Sequence, residues 1–291
     1  MDHQTAVSDS REALDVTLRF GSRHLGPAKW EPAVPSEAAA EFANTEKRAD
    51  GTPWGENPPR TAYAAANLMM TGVLDNLAAI GKLLDEEMPV IGPTILARSA
   101  IEIASGAWWL MEPGIGARRR VCRELVLSLT SARRAGQIAS EFQAQGFPLT
   151  PEVAAAAQEE AQVLQRIADL GIPAPTGPRF SPKVENEQAM NDTDATAAML
   201  KAVIPPTAPP EFVYRAYSAI THGQIYGLMN FMEPDGSGLL HWNLPPDVLD
   251  GTVQLAIAAF REVYRRIQTV MGWGKLEPDL WEIRLSKIYG R

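Results

Sequence analysis

The sequence predicts an all-α fold, a bundle of roughly eight helices with an irregular N-terminal wrap. Three observations carry that expectation. Alternating β-branched runs are nearly absent, so strands have little to form from. Long Ala- and Leu-rich stretches repeat apolar residues at helical spacing instead. Prolines, glycines and capping residues punctuate those stretches where helices would open and close.

Taken in chain order, an N-terminal helix covers Ser10–Phe20, and Ser36 is placed to cap a helix over Ala38–Arg48. Pro58–Glu86 reads as one long helix with Met70, Leu74, Leu77 and Leu84 on its apolar side. Thr94–Met111 follows, closed by Glu112-Pro113-Gly114, and Ile115–Gln145 runs to Gly146. Thr150-Pro151-Glu152 supplies a cap, an N1 proline and a first-turn acid, and Gly171 stops that helix after Leu170. Pro210 opens a helix over Glu211–Met232, and Pro245-Pro246-Asp247 opens the last long one. Its apolar positions Val253, Ala256, Phe260, Val263, Ile267 and Val270 form the cleanest amphipathic pattern in the chain. A short helix around Leu280–Ile288 completes the set.

Two segments, Gly21–Pro35 and Asp50–Pro59, read as loops whose Trp30 and Trp54 dock on the core. The stretch 172–210 holds eight prolines and reads as a long loop with one short helix near Ala195–Val203. The expected organisation is therefore an N-terminal extension, 1–60, packed on a bundle domain, 61–291.

Composition narrows the function classes. With 45% hydrophobic and 21% charged residues the chain is globular rather than disordered. A net charge of −8 opposes binding of nucleic acid by the surface at large, which relies on Lys and Arg neutralising phosphates. One cysteine, Cys122, excludes an internal disulfide and any multi-cysteine metal site. No H-E-x-x-H, E-x-x-H, EF-hand or glycine-rich phosphate loop occurs, so no metal or cofactor is expected. The first residues are polar and of mixed charge, with no leader-like apolar run. Arg98 and Glu102 interrupt the apolar run Pro89–Met111 near its centre, against a membrane-spanning helix. A soluble cytoplasmic protein is the expectation.

Those two charges are also the best pointer to a site. They are four residues apart, so they share a helix face and can pair. A turn of about 100° per residue puts Thr94, Arg98, Glu102, Ser105 and Trp109 on one stripe, with Trp108 beside Trp109 able to wall a pocket. Either the pair ties neighbouring helices together, or Arg98 clamps an anion with Glu102 as its orienter or as a base. On the preceding helix Asn67, Thr71, Asp75 and Lys82 share a side, making Asp75 a candidate partner for Arg98 or His222. On the Glu211–Met232 helix Arg215, Ser218, His222 and Tyr226 fall in register. There His222 can act as acid or base near neutral pH, Arg215 can hold an oxyanion, and Ser218 is a weak nucleophile candidate. The Ile115–Gln145 helix carries a basic stripe including Arg119, Arg123, Arg133 and Arg134. It is expected to pair with acids such as Asp85-Glu86-Glu87 or Glu159-Glu160; the alternative is a phosphate-binding stripe.

The run Arg215-Ala216-Tyr217-Ser218-Ala219-Ile220-Thr221-His222 resembles the signature of HEPN-type helical bundles, an Arg followed by four to six residues and a His on a late helix. The resemblance implies a metal-independent ribonuclease in which two copies meet at a cleft. Arg215 would stabilise phosphoryl charge and His222 would be the acid or base. The position after the Arg, often polar in that superfamily, is Ala216 here. The Arg-x-x-x-Glu helix with its Trp-rich and Arg-rich turns also resembles uncharacterised actinobacterial helical proteins, which implies no activity.

Three functions are thus expected in parallel. One is a protein that binds or acts on a small anionic molecule in an interior pocket lined by Arg98, Glu102, Arg215, Ser218, His222 and the Trp108–Trp109 pair. The second is an HEPN-like ribonuclease, and the third a structural or regulatory interaction protein. A two-fold homodimer is the default assembly for such a bundle.

Overall fold

The computed structural model describes residues 2–25, 30–84, 91–204, 209–234 and 236–290. The acidic run Asp85-Glu86-Glu87 and Pro89 lie outside them. The fold is all-α as expected, with eleven α-helices among the described residues rather than roughly eight. The chain forms two compact units, one of Met1–Ala33, Ala66–Met111 and Asn191–Arg291, the other of Val34–Ala65 and Glu112–Met190.

The first unit contains α1 (His3–His24), the C-terminal part of α3 (Asn57–Leu83), α4 (Gly92–Leu110), α7 (Asp192–Leu200) and α8 (Pro210–Thr221). After these come the single-turn α9 (Ile225–Leu228), α10 (Pro246–Met271) and α11 (Leu276–Tyr289). Its spine is α10, which packs on α4 and α1. All six apolar residues marked by spacing on α10 are fully buried; each of the five larger than alanine contributes about 1.5–3 kcal/mol. Gly272 ends α10 in the left-handed conformation (φ 68°), which a glycine adopts without strain. The last helix docks through Trp281, stacked on Phe20 at 4.5 Å. Close approach of α1 to α3 depends on Gly21, where a Cβ would sit 2.5 Å from Leu74 Cδ2.

The second unit is built on α5 (Gly116–Ala144), which pairs along its length with α6 (Thr150–Asp169) and touches α2 (Glu37–Phe42). Ser36 caps α2 as expected, accepting from the Ala39 amide at 3.1 Å. The helix is shorter than the sequence suggested and stops at Phe42. Trp54 docks in the core, its Nε1 donating to the carbonyls of Lys47 and Leu170, both at 3.0 Å. Residues expected as a plain loop after 172 contain a small hairpin, β1 (Lys183–Val184) with β2 (Glu187–Gln188), against α5.

The largest departure from expectation lies at 211–232. No single helix spans it: α8 ends at Thr221, His222 is its C-cap, and Gly223 turns the chain at φ 64°. Then come α9, a 3-10 turn at Met229–Phe231 and a hairpin of β3 (Met232–Pro234) with β4 (Leu240–Trp242). Helical spacing continued through Gly223, but a glycine costs a helix about 1 kcal/mol against alanine and favours a stop. No helix among the described residues is long and apolar enough to cross a membrane.

Candidate functional site

The Arg98–Glu102 pair forms on α4. Arg98 Nε donates to Glu102 Oε1 at 2.8 Å, and its Nη2 lies 2.8 Å from the same oxygen. Sequence reasoning did not name the third member, Tyr214 of α8. The Tyr214 hydroxyl donates to Glu102 Oε1 at 2.8 Å and accepts from Arg98 Nη2 at 3.3 Å. Arg98 also lies over the Tyr214 ring, 5.4 Å from its centroid. Burial disfavours the Arg98 charge, but the bonds to Tyr214 and the Glu102 carboxylate outweigh it and hold its pKa above the ordinary value. Burial, then the bond to Glu102, pushes the Tyr214 phenol up. Arg98 Nη1 and Thr94 Oγ1 are buried with no hydrogen-bond partner among the described residues. Further along the stripe Ser105 Oγ donates to the Glu102 carbonyl at 2.8 Å, and Thr196 of α7 reaches Ser105 at 3.5 Å. The stripe therefore faces α7 and α8. The crevice it forms with Ile101, Leu200 and Tyr217 is too narrow to admit a water molecule.

The other candidates do not join this cluster. Arg215, one residue past Tyr214, is rotated about 100° away on α8 and is exposed, as is His222. Ser218 is half-buried, and Tyr226 is exposed on α9, out of the helical register assumed for it. Asp75 is exposed on α3. Trp109 fills core. Trp108 is held by α10: its Nε1 donates to Glu262 at 3.2 Å, and the Arg266 guanidinium lies 3.4 Å from its ring centroid.

Most of the basic stripe on α5 is neutralised within the second unit. Arg120, fully buried, donates to both oxygens of Glu41 (2.8 and 3.0 Å) and to Glu37 at 2.9 Å. Arg123 bonds Glu187 at 2.7 Å and Glu112 at 2.6 Å, and Arg119 bonds Glu187 at 2.6 Å. Arg118 is shared by Glu46 and Glu185. Arg133 meets Glu160 at 2.7 Å, as the sequence suggested; the remaining partners are other acids than those expected. Of the stripe only Arg134 is exposed with no ion pair among the described residues, and a single such charge is a poor match for a phosphate-binding stripe. Among the described residues no three His, Cys, Asp or Glu side chains converge as a metal site.

A larger open concavity of the first unit lies elsewhere. Between α10 and α11, bordered by Val203 and Ile204, is a cleft of about 690 Å³, within the size range of small-molecule sites. Leu255, Ala258 and Ile283 give it apolar walls; Gln254, Arg261 and Tyr289 give it polar groups. Gly251 lines it from within α10. None of Arg98, Glu102, Arg215 or His222 borders it. One sequence signal could have found it: a glycine inside the most regular amphipathic helix of the chain.

Compared with family models, curated proteins and solved structures, the chain matches none.

Proposed function

We propose that this protein binds a small molecule in the cleft between α10 and α11. The observation that carries the proposal is the cleft itself: about 690 Å³, with apolar walls and a few polar groups, on a helix whose opposite face is the unit's core. In this reading the Arg98–Glu102–Tyr214 cluster ties α4 to α8. Its groups satisfy one another except at Arg98 Nη1, and the space beside them is closed. The small-molecule function expected from the sequence is thereby moved from that cluster to the cleft. The test is titration with N-phenyl-1-naphthylamine, a neutral apolar fluorophore. One site per chain is expected, lost in Gly251→Leu, whose side chain would fill the cleft. Equal binding by the two proteins would refute the site.

A second reading rests on a different observation. Arg215 and His222 are seven residues apart, so they lie on one side of α8, and both are exposed. That arrangement is open to a phosphodiester, as the HEPN resemblance implies, provided two copies bring their pairs together. Native mass spectrometry would then report a homodimer, and purified protein would cleave total RNA with a dependence on His222 between about pH 5 and 9. RNA left intact across that range by a confirmed dimer would end this reading.

A further inference from the structure

The chemistry of the ligand can be argued from three features of the same cleft, and this inference rests on the cleft reading above. Arg261, Arg265 and Arg266 follow one another on adjacent turns of α10. Arg265 donates to both oxygens of Glu282, at 2.9 and 2.7 Å. Arg266 lies over Trp108 and donates to its carbonyl at 2.9 Å. Arg261 differs. It is half-buried and lines the cleft, yet its guanidinium makes no hydrogen bond, ion pair or ring contact among the described residues. Two carboxylates border the same cleft. Glu282 is taken by Arg265, and Asp279 is exposed, so water already solvates it. What remains is a permanently charged, partly desolvated fork of donors beside apolar walls. An oxyanion is the group that matches such a fork in geometry and charge.

Gly251 is the second feature. It sits inside α10, exposed, and a Cβ built on it would meet nothing within 4 Å. No neighbour among the described residues therefore requires a glycine there, although alanine would serve the helix better. A bare backbone at the cleft lets a flat group lie directly on the helix. Tyr289 is the third. Its ring borders the cleft, and its hydroxyl is buried without a partner among the described residues. Burial first, then the nearby Asp250 and Asp9 carboxylates, raises its pKa and keeps it protonated. The cleft thus meets the side of this residue rather than its hydroxyl, which adds an aromatic wall for a flat ligand.

We propose that the cleft takes an amphipathic monoanion, a flat apolar body lying over Gly251 against Leu255, Ala258 and Ile283, with a carboxylate or sulfonate on Arg261.

Two fluorophores with the same aromatic body test this on the full chain: 1-anilinonaphthalene-8-sulfonate, an anion, and N-phenyl-1-naphthylamine, its neutral counterpart. Arg261→Gln removes a guanidinium that makes no hydrogen bond or ion pair among the described residues, and keeps part of the side chain's stem. This variant is expected to weaken the sulfonate on the order of tenfold, the loss of one charge-assisted contact, and to leave the neutral probe unchanged. Arg261→Lys should recover part of the loss. Gly251→Leu should abolish both. Gly251→Ala should raise the melting temperature of the free protein while weakening both probes, a combination that a purely structural glycine would not give. Sulfonate binding unchanged by Arg261→Gln, with both probes still lost in Gly251→Leu, would overturn the anion inference and leave the cleft standing. Both probes indifferent to Gly251→Leu would overturn the cleft and the inference together.

Discussion

Arg120 shows most plainly what a single residue does in this molecule. Its side chain is 0% exposed and that of its partner Glu41 3% exposed, and the Tyr63 hydroxyl donates to the same carboxylate at 2.9 Å. Breaking a buried pair from one side leaves a charge with no counter-ion, so Arg120→Met should destabilise by about 3–5 kcal/mol in urea denaturation. Removing both charges, as Arg120→Met with Glu41→Leu, should recover most of that, because the desolvation cost of the carboxylate goes too. A double variant no more stable than the single one would contradict the account. Glu187 gives the corresponding pH dependence. Burial favours its neutral form, but hydrogen bonds from Arg119 and Arg123 win and lower its pKa below the usual carboxylate value. A group whose pKa falls on folding stabilises above its unfolded pKa, about 4.3, and loses that contribution as pH drops through the lower folded value. Stability measured from neutral pH downward should therefore decline below about pH 4.5, and Glu187→Gln should flatten the decline.

At the scale of elements, α8 is decided by its end. His222 is the last residue before Gly223 turns the chain at φ 64° with open space around it. Gly223→Ala would force a Cβ into the left-handed region at a cost of about 1 kcal/mol, which thermal unfolding should report. The junction of α4 with α8 is a second test of element-level reasoning. Tyr214→Phe takes a donor from Glu102 and an acceptor from Arg98, and should cost about 1–2 kcal/mol. A double-mutant cycle pairing it with Glu102→Gln should show coupling of about 0.5–1 kcal/mol, since Glu102 is partly open to solvent. Purely additive effects would mean that the three groups do not act as a unit. How the sequence foreshadowed this junction is instructive. The stripe on α4 was legible because two charges in an apolar run leave little choice of face. The partner on α8 was not legible, because Tyr214 and Arg215 are adjacent and polarity alone favoured the arginine, whereas the aromatic ring is the one that can be buried.

For the molecule as a whole, charge in sequence and charge in space diverge. The segment around Arg118–Arg123 is the most basic in the chain, yet each of those four arginines meets a carboxylate contributed from elsewhere in its unit. With a net charge of −8, the protein should pass a heparin column unretained at about 0.1 M salt, since the arginines of its most basic segment are already paired. Retention at that salt would mean that the network opens and would favour the ribonuclease reading.

Fold class, nearly every long helix and the buried face of α10 followed from the sequence alone, because apolar periodicity and local capping act over a few residues and are written in them. The identity of each arginine's partner, the stop at Gly223 and the cleft beside Arg261 were decided only by tertiary structure. These depend on which distant side chains arrive at the same place, and a one-residue step on a helix turns a group through about 100°, enough to exchange core for solvent.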